Sequence, residues 1–170
     1  MPQSYSFTVI ERNDGSVIYN FLTSNEVGYT VLINTAQTTG IGNCFESPNV
    51  CENGYIIAFM RVGKKFEDKL VLQTIDSIID DFIEKFSTNE AAFFYTCDNS
   101  DGKHLARHKM FENYICNLNS QKYKGESILF EDKVDNTIHC IGCFFRKDSR
   151  VGELILIEFE GFAESLMLKS

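Results

Sequence analysis

Apolar and polar side chains alternate with a period of two along the first third of the chain. Tyr5, Phe7 and Val9 alternate with Ser6, Thr8 and Ile10, and Asn13-Asp14-Gly15 then supplies hairpin turn chemistry. Val17, Tyr19 and Phe21 continue the pattern on a second strand. Asn25-Glu26 turns the chain into a third, over residues 27–34, with Tyr29, Val31 and Ile33 on one face. Residues 35–53, rich in Thr, Gly and Asn, carry no period, and a loop of that length is usually functional or mobile. Residues 54–62 are apolar on both faces, as in a central strand. The period then lengthens: Leu72, Ile75, Ile78, Ile79, Phe82 and Phe86 recur every three or four residues, with Asp76, Asp80, Asp81 and Glu84 opposite. This predicts an amphipathic helix over about 66–86. Residues 91–97 form another short apolar run. Strand, helix, strand in this order implies a right-handed crossover and a parallel pair. A second helix is predicted over about 101–119, N-capped by Ser100 or Asp101. Strands follow at 127–131, 137–146 and 153–160, the second of them after an Asp135-Asn136 turn. The prediction is therefore an α+β fold of order ββββ-α-β-α-βββ, with two helices on a mixed, mostly antiparallel sheet.

Composition narrows this further. With 170 residues, 44% of them hydrophobic and 13% aromatic, the chain can fill a core as a single domain spanning 1–170. The formal charge of −8 and the scatter of the basic residues argue against nucleic acid as a partner, which calls for a basic stripe to neutralise phosphates. Apolar runs fall far short of the roughly 20 residues of a membrane helix, and the first residues lack a charged and apolar leader. The expected protein is cytoplasmic and makes no membrane contact. Its six cysteines are then reduced thiols.

Residues 97–108 hold the most suggestive chemistry. They leave a predicted parallel strand and enter a helix N-terminus, a junction that favours anionic ligands. On a helical projection Phe111, Tyr114, Ile115 and Leu118 form the apolar face and Arg107 falls near its middle. An arginine so placed needs a carboxylate or an opening, and Asp98 and Asp101 are the nearest acids in sequence. One outcome is a salt bridge that pins the turn, the other a ligand site for a carboxylate or phosphate. His104 and His108, one turn apart, invite a metal, but no His-Glu-x-x-His pattern accompanies them and no metal is assigned. Cys140-Ile-Gly-Cys143 lies within a predicted strand, where positions three apart face opposite ways, so it is expected to be structural. Cys44 and Cys51, in the long loop, are the more exposed thiols. Phe93, Phe94, Phe144 and Phe145 are assigned to the core. No P-loop, G-x-G-x-x-G or G-x-S-x-G occurs.

The order of elements over residues 17–160 resembles the GCN5-related N-acetyltransferase fold without its first helical region. That family's acyl-CoA loop, R/Q-x-x-G-x-G/A, corresponds to Arg61-Val-Gly-Lys-Lys-Phe66, where Arg61 and one glycine remain and Lys64 and Phe66 replace the others. The family's late-helix tyrosine would fall near Met110. Residues 97–111, with Ser-Asp-Gly, Arg107 and Phe111, also resemble a group of short uncharacterised bacterial proteins, a domain of unknown function. Together these imply a non-enzymatic or degenerate acetyltransferase-like domain that binds a small anionic ligand or a protein partner. The ligand residues would be Arg61, Lys64, Asp98, Asp101, His104 and Arg107, and no cofactor is required. The alternative is a divergent acyl-CoA-dependent N-acyltransferase using acetyl-CoA, with His104 or His108 as base.

Overall fold

The alternating N-terminal segments form three antiparallel strands, β1 (Phe7–Glu11), β2 (Val17–Leu22) and β3 (Gly28–Thr35). The β1–β2 turn is fixed by Asp14, whose Oδ1 accepts the Ser16 amide at 2.9 Å, and by Gly15 at φ +83°. The computed structural model describes residues 4–39, 45–64, 68–97, 102–113 and 122–169. After β3 come α1 (Pro48–Asn53), β4 (Gly54–Val62), α2 (Lys69–Phe86), β5 (Ala92–Cys97), α3 (His104–Asn113), β6 (Tyr123–Asp132), β7 (Thr137–Arg146) and α4 (Gly152–Lys169).

Among the described residues, seven strands make one α+β mixed sheet in the order β1-β2-β3-β4-β5-β7-β6. Every pairing is antiparallel except β4 with β5, which the α2 crossover makes parallel. β7 therefore lies between β5 and β6, with Cys97 opposite Cys140 and Ala92 opposite Phe145.

Strand alternation divides the core between the two faces of the sheet. On one face Tyr19, Val31, Ile33, Ile57, Phe93 and Phe144 receive Ile75, Ile78, Ile79 and Phe82 of α2. On the other, Ala92, Phe94, Ile141 and Phe145 receive Ile155, Phe159 and Phe162 of α4 and Val50 of α1. Each such side chain contributes roughly 1.5–3 kcal/mol by leaving water, which is what binds the helices to the sheet. Phe93, Phe94, Phe144 and Phe145 are all buried, as expected of core residues. No helix among the described residues is long and apolar enough to cross a membrane.

The structure corrects several sequence expectations. Residues 153–160 are not a strand but the first half of α4. Ile155, Phe159, Phe162 and Ala163 are buried at helical spacing, and that period is legible only when the run is followed beyond Glu160. Among the described residues there are four helices where two were expected. The irregular segment 35–53 contains α1, which begins at Pro48 and is held at its start by Glu158 of α4. That carboxylate accepts the Ser47 amide at 2.6 Å and the Glu46 amide at 3.1 Å. The strand expected at 127–131 extends over all of β6 because it pairs with β7 along its whole length.

Candidate functional site

β4 and β5 are hydrogen-bonded neighbours over only three residue pairs, Gly54–Ala92, Tyr55–Phe93 and Ile56–Phe94. Beyond them β4 continues through 57–62 along β3, while β5 continues through 95–97 along β7. The parallel strands thus splay at their C-terminal ends, the end of an open sheet at which ligands commonly bind.

Phe111 of α3 wedges the splay. Its ring stacks on Tyr95 of β5 at 3.8 Å between centroids and 3° between planes, and meets Phe59 of β4 at 4.7 Å. Tyr95 is itself seated over Gly142 of β7, where a Cβ would fall 2.1 Å from the tyrosine ring. A glycine, a tyrosine and a phenylalanine from three elements therefore close the inner part of the gap.

Charged groups occupy its rim. Arg61 stands two residues beyond Phe59 and so shares its face; it is exposed, as is Lys64. Arg107, one helical turn before Phe111, is partly buried, and its guanidinium acts electrostatically on Cys97 and Cys140. His104 is also partly buried: its carbonyl accepts the Cys140 thiol at 3.7 Å, and its Nδ1 is buried without a partner. His108 is only 6% exposed, with Nε2 3.2 Å from Glu112 Oε1 and Nδ1 unpartnered. Asp98 and Asp101, the acids expected beside Arg107, lie outside the described residues, as do Cys44, Tyr114, Ile115 and Leu118. Of the expected ligand set, then, α3 carries His104 and Arg107 at the end of β5, and the end of β4 carries Arg61 and Lys64.

The sequence gives no warning of the two thiols beneath α3. Cys97 and Cys140 are directly opposed on β5 and β7. The Cys97 pKa is raised, first by the neighbouring Cys140 and then by burial. The Cys140 pKa is lowered by the neighbouring Cys97, against the effect of burial. The Arg107 charge favours the thiolate at both. Cys143 faces the α4 side, as its spacing from Cys140 requires, and burial pushes it up to about 12.

His104 and His108 do not belong to the metal-type donor group found among the described residues, which is Asp132, Asp135 and His139 at the β6–β7 turn. Those carboxylates serve the turn itself: Asp132 accepts the Val134 amide at 2.8 Å, and Asp135 accepts the Thr137 amide at 2.9 Å as well as its hydroxyl. Two open clefts of about 460 and 480 Å³, both lined by Thr88 and Asn89, adjoin the start of β5, at the far end of that strand from Arg107.

No curated protein and no solved structure matches the chain. A family profile does match, over residues 67–160, a span that includes the wedge, Arg107 and both opposed thiols but excludes Arg61 and Lys64. Since that span is more than half of the 170 residues, the chain belongs to the family of unknown function DUF6169.

Proposed function

We propose that the protein is a non-catalytic, acetyltransferase-like domain that binds a small phosphate-bearing ligand at the rim of the β4–β5 splay. The observation that carries this reading is a splayed parallel pair with cationic side chains at its mouth and aromatic rings filling its interior. Arg61 lies on β4 with Lys64 just beyond its end, and Arg107 lies on α3; a ligand seated between these elements would meet positive charge from both. Guanidinium groups are suited to such a ligand because their fixed fork matches phosphate oxygens. In support of the acetyltransferase-like reading, the succession of meander, α2 crossover, parallel pair and β6–β7 hairpin resembles the GCN5-related N-acetyltransferase order, with α4 as an addition. In place of the slit a transferase needs for an acyl chain there is the Tyr95–Phe111 stack. Lys64 and Phe66, where that family's loop has glycines, agree with a lost standard acyl-CoA site.

Calorimetric titration with CoA, acetyl-CoA and pyrophosphate tests this. The expected result is saturable binding of pyrophosphate, with CoA and acetyl-CoA bound no more tightly than it and no acetyl transfer to amines. Arg61→Ala, Lys64→Ala and Arg107→Ala should each weaken binding about tenfold or more, since a hydrogen bond to a charged group is worth ~1.5–3 kcal/mol. No heat with any of the three ligands at millimolar concentration sinks the proposal. Acetyl transfer would replace it with the divergent N-acyltransferase, for which His104 or His108 would be the base to mutate.

A partner-binding reading has one observation in its favour. Leu22, Met60 and Val62, on the face of the sheet opposite α2, are 60%, 53% and 78% exposed, with Leu22 and Val62 both in register with Gly28. An apolar patch of that kind suits a protein contact.

A further inference from the structure

We infer that Cys97 and Cys140 form a reversible oxidation site, closing to an intramolecular disulfide under a hydroperoxide. This goes beyond the ligand proposal and does not depend on it.

The geometry comes from the sheet. The two residues are direct cross-strand partners at the end of the β5–β7 ladder. Opposed antiparallel residues have Cα atoms roughly 4.5–5.5 Å apart, inside the range of roughly 4.4–6.8 Å that a disulfide requires. Both are free thiols, and the register sets one directly across the ladder from the other. No other described cysteine can compete. Cys143 faces the opposite side of the sheet, and Cys51 sits on α1 against that same opposite face.

The surroundings assign a role to each sulfur. The neighbouring Cys97 favours the thiolate at Cys140 and Arg107 favours it at both, while burial and Glu112 oppose it at Cys140. Cys140 is the attacking group and Cys97 the resolving one. The Cys140 thiolate attacks one oxygen of hydrogen peroxide, the O–O bond breaks, and the departing hydroxide takes up a proton as water. Cys140 is now a sulfenic acid. The Cys97 sulfur, losing its proton, then attacks the Cys140 sulfur. The S–S bond forms, the S–O bond breaks, and the hydroxide leaves as a second water. Two thiols have given two electrons to one peroxide.

Reversibility follows from fit. Directly opposed Cβ atoms stand roughly 4.5–5.5 Å apart in a relaxed ladder, whereas a disulfide draws them to roughly 3.5–4.5 Å. Closure therefore strains the end of the ladder, and strained disulfides are the readily reduced ones. It also removes the Cys140 thiol proton donated to the His104 carbonyl, one tie between the start of α3 and the sheet.

Oxidation of the whole protein with a small excess of hydrogen peroxide, followed by denaturation, alkylation and peptide mapping, tests the inference. The expected product is a Cys97–Cys140 linked peptide, lighter by two hydrogens and restored by dithiothreitol. Cys143→Ala should leave it intact. Cys97→Ser should remove it and leave a Cys140 sulfenic acid that dimedone traps. Hydrogen exchange should quicken in the first turn of α3 on oxidation and recover on reduction. The inference is overturned if both cysteines are still alkylated after the peroxide is consumed, or if the cross-links join other cysteines. The mapping on the native sequence decides this even where a serine variant fails to fold.

Discussion

Gly142 has no side chain because Tyr95 already fills the space in which one would sit. A Cβ there would fall 2.1 Å from the tyrosine Cζ, and the ring cannot swing away without displacing Phe111, stacked at 3.8 Å. Gly142→Ala should therefore overpack this corner and cost about 1–3 kcal/mol. At roughly 2–4 °C per kcal/mol for a chain of this size, thermal melting should show a fall of several degrees. Gly161→Ala is the contrasting case. That position lies within α4 with nothing within 4 Å of the added methyl, so the better helix former should stabilise by up to about 1 kcal/mol. Equal effects at both sites would contradict the wedge. Residue-level reading of the sequence went as far as periodicity allows. It placed Cys140 and Cys143 on opposite faces, set Arg107 on the apolar face of its helix and offered Asp98 and Asp101 as partners, but gave no sign that Cys97 stands opposite Cys140. That neighbour comes from another strand.

Helix α2 was legible because its apolar positions keep a 3.6-residue period for five turns; its start was not. The expected beginning near residue 66 moves to Lys69 because Asp68 is the N-cap. Its Oδ1 accepts the Leu70 amide at 2.9 Å, and its Oδ2 accepts the Tyr5 hydroxyl at 2.6 Å. The second bond joins the helix to the segment ahead of β1, beside the Tyr5 amide donated to Thr74 Oγ1 at 2.8 Å. Asp68→Ala should cost about 1–2 kcal/mol for the cap, measured as a lower urea midpoint at unchanged slope, and Asp68→Asn, which keeps an accepting oxygen, distinctly less. An unchanged midpoint in Asp68→Ala would show that the cap contributes nothing. Helix α4 gave the opposite outcome. Its first residues, Leu154-Ile-Leu-Ile-Glu-Phe159, are an apolar run with β-branched members, and such a run is ambiguous between buried strand and buried helix. Packing against Ile141 and Phe145 resolves it, along with a period that continues to Leu166.

The whole molecule carries an alkaline liability. Burial raises the pKa of Tyr19, Tyr95 and Tyr123, and carboxylates raise two of them further: Asp81 accepts from Tyr19 at 2.9 Å and Asp80 from Tyr123 at 2.9 Å. These phenols bind their protons more tightly in the folded protein than in the unfolded chain, whose tyrosines titrate near 10. Above that pH the folded state holds more protons than the unfolded state, so stability is complete below pH ~10 and falls as pH rises beyond it. In an absorbance titration Tyr19, Tyr95 and Tyr123 should ionise only together with loss of the circular dichroism signal. If they titrate smoothly while the fold persists, the burial of these rings is wrong.

Local pattern alone determined a good part of this protein. The N-terminal meander, the long amphipathic helix, the parallel pair implied by strand-helix-strand, the α+β class and the aromatic core all follow from period and turn chemistry, which act between near neighbours in sequence. The tertiary structure decided the rest. It placed β7 rather than β6 beside β5, parted β4 from β5 after three pairs, seated Phe111 between Phe59 and Tyr95, and set Cys97 against Cys140. Each is a choice of partner between segments distant in sequence. Such choices are settled by which surfaces bury together, and strand periodicity is the same for every partner a strand might take.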